Sequence, residues 1–448
     1  MRTLIACALL VLALGVAVFA RRAHRPAPPL PPAAATAALE GAAAHPERAT
    51  QAEPIIAALR AELDVHRRLI LLFADEAHLK GAAREAALAQ GHALHHQDRD
   101  LVHALNLALV NLAGQTPGPR DPLIAQVLDW MERDPEIMEL DRLAFRDPLR
   151  VLESALAPDH SAEGAALTTR IRADLAEVDR VEHWVDAEYR QVFGGPGSPA
   201  KGGQRLRWDA YVKALQALIP MPVPPPAAPA AKVEPGREIN GRELPEKVLV
   251  LSFDDGPHRV YTGEIKAILQ QGHAPAVFFE VGRNLGSVAA DGTVKLGPLA
   301  PLTEDLVRSG YVIGNHSFSH AQLSKETGPS LDLEIREPDL LLRAIPGAHS
   351  NLFRFPYGAR TAIQLQALQT YHLRSVLWNI DSLDWADPVP SSVADRVLRT
   401  VAEEKRGIIL FHDIHDRAGK VLPALLERLR GEGYRFAGLD GNGEVVLP

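Results

Sequence analysis

The chain has 448 residues, 46% hydrophobic and 23% charged, a texture that excludes disorder throughout. That length exceeds one ordinary core and calls for two or three units. A formal net charge of −8 argues against nucleic acid as a partner. The lone cysteine, Cys7, excludes a disulfide framework, a cysteine nucleophile further along and cysteine-held zinc. Any metal must therefore be held by His, Asp or Glu.

Residues 1–25 set Arg2 before an apolar run from Leu4 to Ala20, followed by Arg21, Arg22 and Arg25. The run fits a signal-peptide core or a short membrane anchor. Export to the periplasm or cell envelope is the reading, with cleavage or attachment to the membrane left open. The arginines after the run point the other way by the positive-inside rule. Residues 26–52 are rich in Pro and Ala and read as an extended spacer.

Residues 53–218 read as a separate all-helical domain. Ile171, Leu175, Val178, Val181, Val185 and Tyr189 recur at three- and four-residue spacing, one apolar stripe on an amphipathic helix. Ile56, Leu59, Leu63 and Ile70 mark a second. Asp121-Pro122, Asp134-Pro135 and Asp147-Pro148 read as helix starts. His92, His95, His96 and His103 fall on one helix beside Gln97, Asp98 and Arg99, and the expected environment is solvent rather than a second metal centre. The sequence assigns this domain no role, and a protein partner is one option. Pro222, Pro224, Pro225, Pro226 and Pro229 then define an inter-domain linker over residues 219–239.

From residue 240 the pattern becomes strand–helix alternation. The predicted strands are 247–253, 276–281, 311–315, 353–355, 374–380, 407–411 and 434–437, each a short apolar run. Continuous apolar strands between amphipathic helices imply a parallel sheet buried on both faces, here an α/β distorted (β/α) barrel of about seven strands. Unusual polar clusters follow the strands: Asp254-Asp255-Gly256-Pro257, His316 to His320, Pro356-Tyr357-Gly358, Asp381 to Trp385, and His412-Asp413. Strand ends of a parallel barrel converge on one rim, where active sites of this architecture lie. His316 and His320 have a metal-ligand spacing, and a strand-end aspartate beside them makes a two-His, one-carboxylate set.

These residues resemble the polysaccharide deacetylases of the NodB-homology type, carbohydrate esterase family four. The resemblance covers residues 240–448 and rests on five ordered motifs. They read Ser252-Phe253-Asp254-Asp255-Gly256-Pro257, His316-Ser317-Phe318-Ser319-His320, Arg354-Phe355-Pro356-Tyr357-Gly358, Asp381-Ser382-Leu383-Asp384-Trp385 and Leu410-Phe411-His412. Ser252, where threonine is usual, is the one small departure. The resemblance implies one divalent metal ion, zinc first with cobalt, nickel or manganese as alternatives, on Asp255, His316 and His320. It implies Asp254 as general base, oriented by Arg354, and His412 as general acid, oriented by Asp384 or, failing that, Asp381. It also implies an oxyanion donor in the Tyr357 backbone and an acetyl pocket walled by Trp385, Leu410 and Pro356. The implied substrate is an acetylated polysaccharide. An O-acetyl esterase and a non-catalytic glycan-binding or assembly protein are the competing readings.

Overall fold

The structure, a computed structural model, describes residues 30–44, 52–74, 79–194, 202–220 and 238–447. The N-terminal apolar run and nearly all of the Pro-rich linker lie outside the described residues, and with them their expected roles. Among the described residues no helix is long and apolar enough to cross a membrane.

The N-terminal half is helical. Its helices are α1 (Pro32–Ala44), α2 (Glu53–Phe73), α3 (Gly81–Ala113), α4 (Asp121–Arg133), α5 (Arg146–Leu156), α6 (Ala162–Phe193) and α7 (Leu206–Leu218). α1 corrects the spacer reading: alanine is the best helix former, and proline at the first turn costs nothing there. Buried Ala35 and Leu39 tie α1 into the core of the helical half. Asp121 and Asp147 open helices as expected. Asp134 instead ends α4, and its carboxylate accepts from the Glu136 N–H in the turn that follows. The predicted stripe on α6, from Ile171 to Tyr189, is buried throughout.

The C-terminal half is a curled parallel sheet wrapped by helices. The strands of its main sheet are β1 (Val248–Asp254), β2 (Ala276–Glu280), β3 (Val312–Asn315), β4 (Leu352–Phe353), β5 (Arg374–Ser375), β6 (Ile380–Asp381), β7 (Gly407–His412), β8 (Arg435–Leu439) and β9 (Val445–Val446). Seven run side by side in the order β6-β7-β1-β2-β3-β4-β5, all parallel. β8 branches from the start of β1 and pairs antiparallel with β9. All seven residues of β1 are buried, which is why it opens on four apolar residues in a row, Val248 to Leu251, rather than alternating apolar and polar ones. The expected strand 374–380 is two short ones. Between them the Val376 and Leu377 carbonyls accept from the Arg354 side chain at 3.1 and 3.2 Å, so they are lost to the ladder. Among the described residues no ladder joins β5 to β6, and the sheet is a part-closed barrel.

The two halves are in direct contact. Asp147 of α5 accepts from Tyr261 Oη at 2.6 Å and His415 Nδ1 at 2.9 Å. Arg146 meets Asp416 at 2.9 Å, and Lys420 meets Glu182 at 2.6 Å. Val65, Leu69 and Phe73 of α2 form one apolar cluster with Leu383, Trp385 and Ala386 of the C-terminal half.

Candidate active site

The ends of β1, β3, β4, β6 and β7 meet at one rim: Asp254, Asp381, Leu410 and His412 belong to the strands themselves, and Asp255, His316, His320, Arg354, Pro356, Tyr357, Asp384 and Trp385 lie in the segments that follow them. Among the described residues nine non-glycine residues have positive φ, and Asp255, Ser317, His320, Tyr357 and Leu383 are five of these. Such backbone costs energy and persists where packing over-determines it, and this concentration marks the rim as the functional end of the sheet.

Asp255, His316 and His320 are buried and bring their ligand atoms within 4.8 Å of one another. Asp255 Oδ1 stands 3.3 Å from His316 Nε2 and 3.1 Å from His320 Nε2, yet has no hydrogen-bond donor. The opposite ring nitrogen of His316, Nδ1, lies 2.8 Å from the Arg354 carbonyl. Donation to that carbonyl fixes the tautomer and leaves the Nε2 lone pair facing Asp255. Burial above all pushes His320 down to about 3, so its ring is neutral, the form that ligates. A donor-less carboxylate oxygen facing bare imidazole nitrogens is what a divalent cation completes. These residues fit one.

Asp254, at the tip of β1, is paired with Arg354. The guanidinium is fully buried and donates to Asp254 Oδ1 at 2.6 Å and to Ser252 Oγ at 2.9 Å. Ser252 passes the contact on to the Ile409 carbonyl at 2.8 Å. With the two carbonyls beyond β5, the Arg354 donors are engaged on several sides, so the side chain is a rigid support for one carboxylate.

His412 ends β7. Its Nδ1 lies 2.8 Å from Asp384 Oδ1, and its backbone N–H donates to Asp384 Oδ2 at 2.9 Å. Burial opposes the imidazolium, but the Asp384 carboxylate, with Asp255 and Asp254 behind it, holds His412 up at about 10. Asp381 is turned elsewhere, accepting from the Leu383 N–H at 2.9 Å and from Trp378 Nε1 at 3.3 Å. Trp385 and Leu410 line a pocket of about 30 Å³ together with Asp254, His316, His320, Tyr357 and His412. Pro356 is buried in its turn and does not line the pocket.

The sequence profile of the polysaccharide deacetylases matches residues 241–376. A peptidoglycan-N-acetylglucosamine deacetylase of Bacillus cereus is 35% identical over 221 residues, which is 46% of this chain and 72% of that protein. The chain belongs to the polysaccharide deacetylase family. A peptidoglycan-N-acetylglucosamine deacetylase of Listeria monocytogenes is 27% identical over 241 residues; the match covers 50% of this chain and about half, 48%, of that protein. Among solved structures, a Bdellovibrio bacteriovorus peptidoglycan deacetylase matches with a TM-score of 0.47 at 20% identity, over 83% of this chain and 93% of that one.

In this polysaccharide deacetylase the helical half covers the rim, which the sequence did not suggest. α3 lies across the site, and the solvent-facing reading of its histidines does not hold. The His92 ring packs 5.3 Å from Trp385 and 5.8 Å from Tyr357. His95 Nε2 is 3.8 Å from Asp255 Oδ2, and both histidines line the small pocket. Arg99 donates to the His320 carbonyl at 2.8 Å, and Arg283 donates to Asp100 at 2.8 Å and to the Arg99 carbonyl at 3.1 Å. Gly91 permits the approach, since a Cβ there would stand 2.8 Å from the Phe73 ring and 2.9 Å from the Trp385 ring. The signal was the spacing of His92, His95, His96, Arg99 and His103, a polar stripe on one helical face. Nothing in the stripe itself told a docked face from a wet one.

Proposed function

We propose that the protein is a metal-dependent deacetylase that removes acetyl groups from N-acetylated amino sugars of an envelope or extracellular polysaccharide. The observation that carries this reading is the gathering of three units around one acetyl-sized pocket: the Asp255–His316–His320 cluster, the Asp254–Arg354 pair and the His412–Asp384 pair. The Bacillus cereus relative, named for peptidoglycan N-acetylglucosamine, supports an envelope polymer as substrate.

Asp255, His316 and His320 would hold the ion, with zinc first among the candidates. A divalent ion bound there supplies Lewis-acid polarisation of a carbonyl and a water of lowered pKa. Asp254 takes the proton of the attacking water, and Arg354 fixes the carboxylate that receives it. The backbone N–H of Tyr357, in its left-handed turn (φ 61°), faces the oxyanion as the acetyl carbon becomes tetrahedral. His412 gives a proton to the leaving amine from Nε2, while Nδ1 stays with Asp384. Trp385 and Leu410 hold the acetyl methyl and exclude water.

An amine leaves well only when protonated, whereas an alcohol depends on protonation less. His412→Asn keeps a nitrogen in reach of Asp384 and removes the Nε2 acid. It is expected to lower kcat on an N-acetyl substrate by about 10²–10⁴-fold and on an O-acetyl ester by clearly less. Acetate release from both bond types measures this, and equal losses would count against His412 as the acid and against an amide substrate. The His412–Asp384 pair also stabilises the fold. Because its pKa is raised on folding, that contribution is complete below the ordinary histidine range and is lost as pH rises through about 10.

A further inference from the structure

The acetyl-sized pocket has a volume of about 30 Å³, room for a two-carbon acyl group or about two waters. The C-terminal half gives it Tyr357, Trp378, Trp385 and Leu410 as bulky walls, and α3 of the helical half adds His92 and His95. The two histidines have different neighbours. His95 turns its Nε2 toward Asp255 Oδ2, 3.8 Å away, on the side of the chemistry. The His92 ring instead packs against Trp385 at 5.3 Å and Tyr357 at 5.8 Å. Burial above all pushes His92 down to about 4, so at pH 7 its ring is uncharged and suits a wall for a methyl group.

This wall has little room to retreat. Trp385 is buried, with the Phe73 ring of α2 edge-on to it at 5.6 Å, and it shares an apolar cluster with Val65 and Leu69. Beside His92, a Cβ on Gly91 would stand 2.8 Å from the Phe73 ring and 2.9 Å from the Trp385 ring, so the helix backbone lies directly against both. Packing this close yields little. An acyl group longer than acetyl therefore has to displace the His92 ring or Trp385.

We infer that His92 sets the upper limit on acyl length: its ring closes the pocket on a methyl group and makes the protein select acetyl over propionyl. The inference rests on the deacetylase reading. It gives the helical half a part in choosing the acyl group, through a side chain that none of the motifs of the C-terminal half supplies. One methylene too many in such a pocket is worth about 10–200-fold in kcat/KM.

The test uses the full-length protein and two variants. His92→Ala removes the ring, His92→Leu keeps most of its bulk, and both residues are compatible with a helix. Release of acetate and of propionate is measured on tetramers of glucosamine acylated on nitrogen with one group or the other. The wild type is expected to prefer acetyl by about 10–200-fold. In His92→Ala the ratio of propionyl to acetyl kcat/KM should rise about tenfold or more, with propionate release itself increasing, while His92→Leu stays near the wild-type ratio. A merely structural role for His92 would lower both activities together, and an unchanged ratio in His92→Ala would overturn the inference. So would a His92→Leu ratio as relaxed as that of His92→Ala, because bulk would then not be the cause. Calorimetric binding of acetohydroxamic and propionohydroxamic acid to the zinc-loaded protein separates this from the deacetylase reading. If the wild type releases neither acyl group, that reading falls, and the hydroxamates still decide the role of His92. A preference for acetohydroxamic acid that is lost in His92→Ala upholds it; the same preference in both proteins, or binding of neither compound, overturns it.

Discussion

Replacing Asp254 with Asn is expected to lower kcat on N-acetylated oligosaccharides by about 10²–10⁴-fold, the usual contribution of a general base, while leaving the metal bound. The geometry explains the separation. Asp254 sits at the tip of β1 with one oxygen on Arg354 at 2.6 Å and the other 3.6 Å from His316, so it borders the Asp255–His316–His320 cluster without belonging to it. Asn keeps the shape and an oxygen for Arg354 but cannot take a proton from water. Metal content measured alongside kcat decides the matter. Loss of metal in Asp254→Asn would make Asp254 a ligand, and retained activity would remove it from the proton path.

The second large effect is on stability. Arg354 is 0% exposed and donates to Asp254, Ser252 and the carbonyls of Val376 and Leu377. Arg354→Met fills much of the same volume but strands a buried carboxylate, and breaking a buried pair this way costs about 3–5 kcal/mol. Urea unfolding should register that loss, and activity should fall with it because Asp254 is no longer held. Combining Arg354→Met with Asp254→Asn removes the stranded charge, so the double variant should be less destabilised than the sum of the two singles. Strict additivity would show that the pair does not act as a unit.

Much of the catalytic half was legible because its signals are local. β1 opens on the apolar run Val248–Leu251 and β7 carries Ile408–Phe411, since each strand is covered on both faces, and the acids and imidazoles stand out by closing such strands or following them directly. What was not legible depends on contacts between distant segments. Splitting of the run 374–380 follows from where the Arg354 side chain goes, which no residue within that run announces. The choice between Asp381 and Asp384 beside His412 likewise turns on the backbone after β6, where Leu383 takes a positive φ and sends the two carboxylates different ways. α1 hid in a composition that suits either a spacer or a helix. The stripe on α3 was visible, but whether it faced water or Asp255 depended on Phe73, Gly91 and Trp385, residues from three separate parts of the chain.

The most direct test of metal-dependent deacetylation is acetate release by the purified full-length protein from oligomers of N-acetylglucosamine and from peptidoglycan glycan fragments. It is measured as purified, after chelation, and after zinc is returned. Release is expected to disappear with the chelator and return with zinc, with a stoichiometry near one ion per chain that is lost in His320→Ala. Acetate release unaffected by complete metal removal, or no release from any acetylated glycan by the folded, metal-loaded protein, would contradict it.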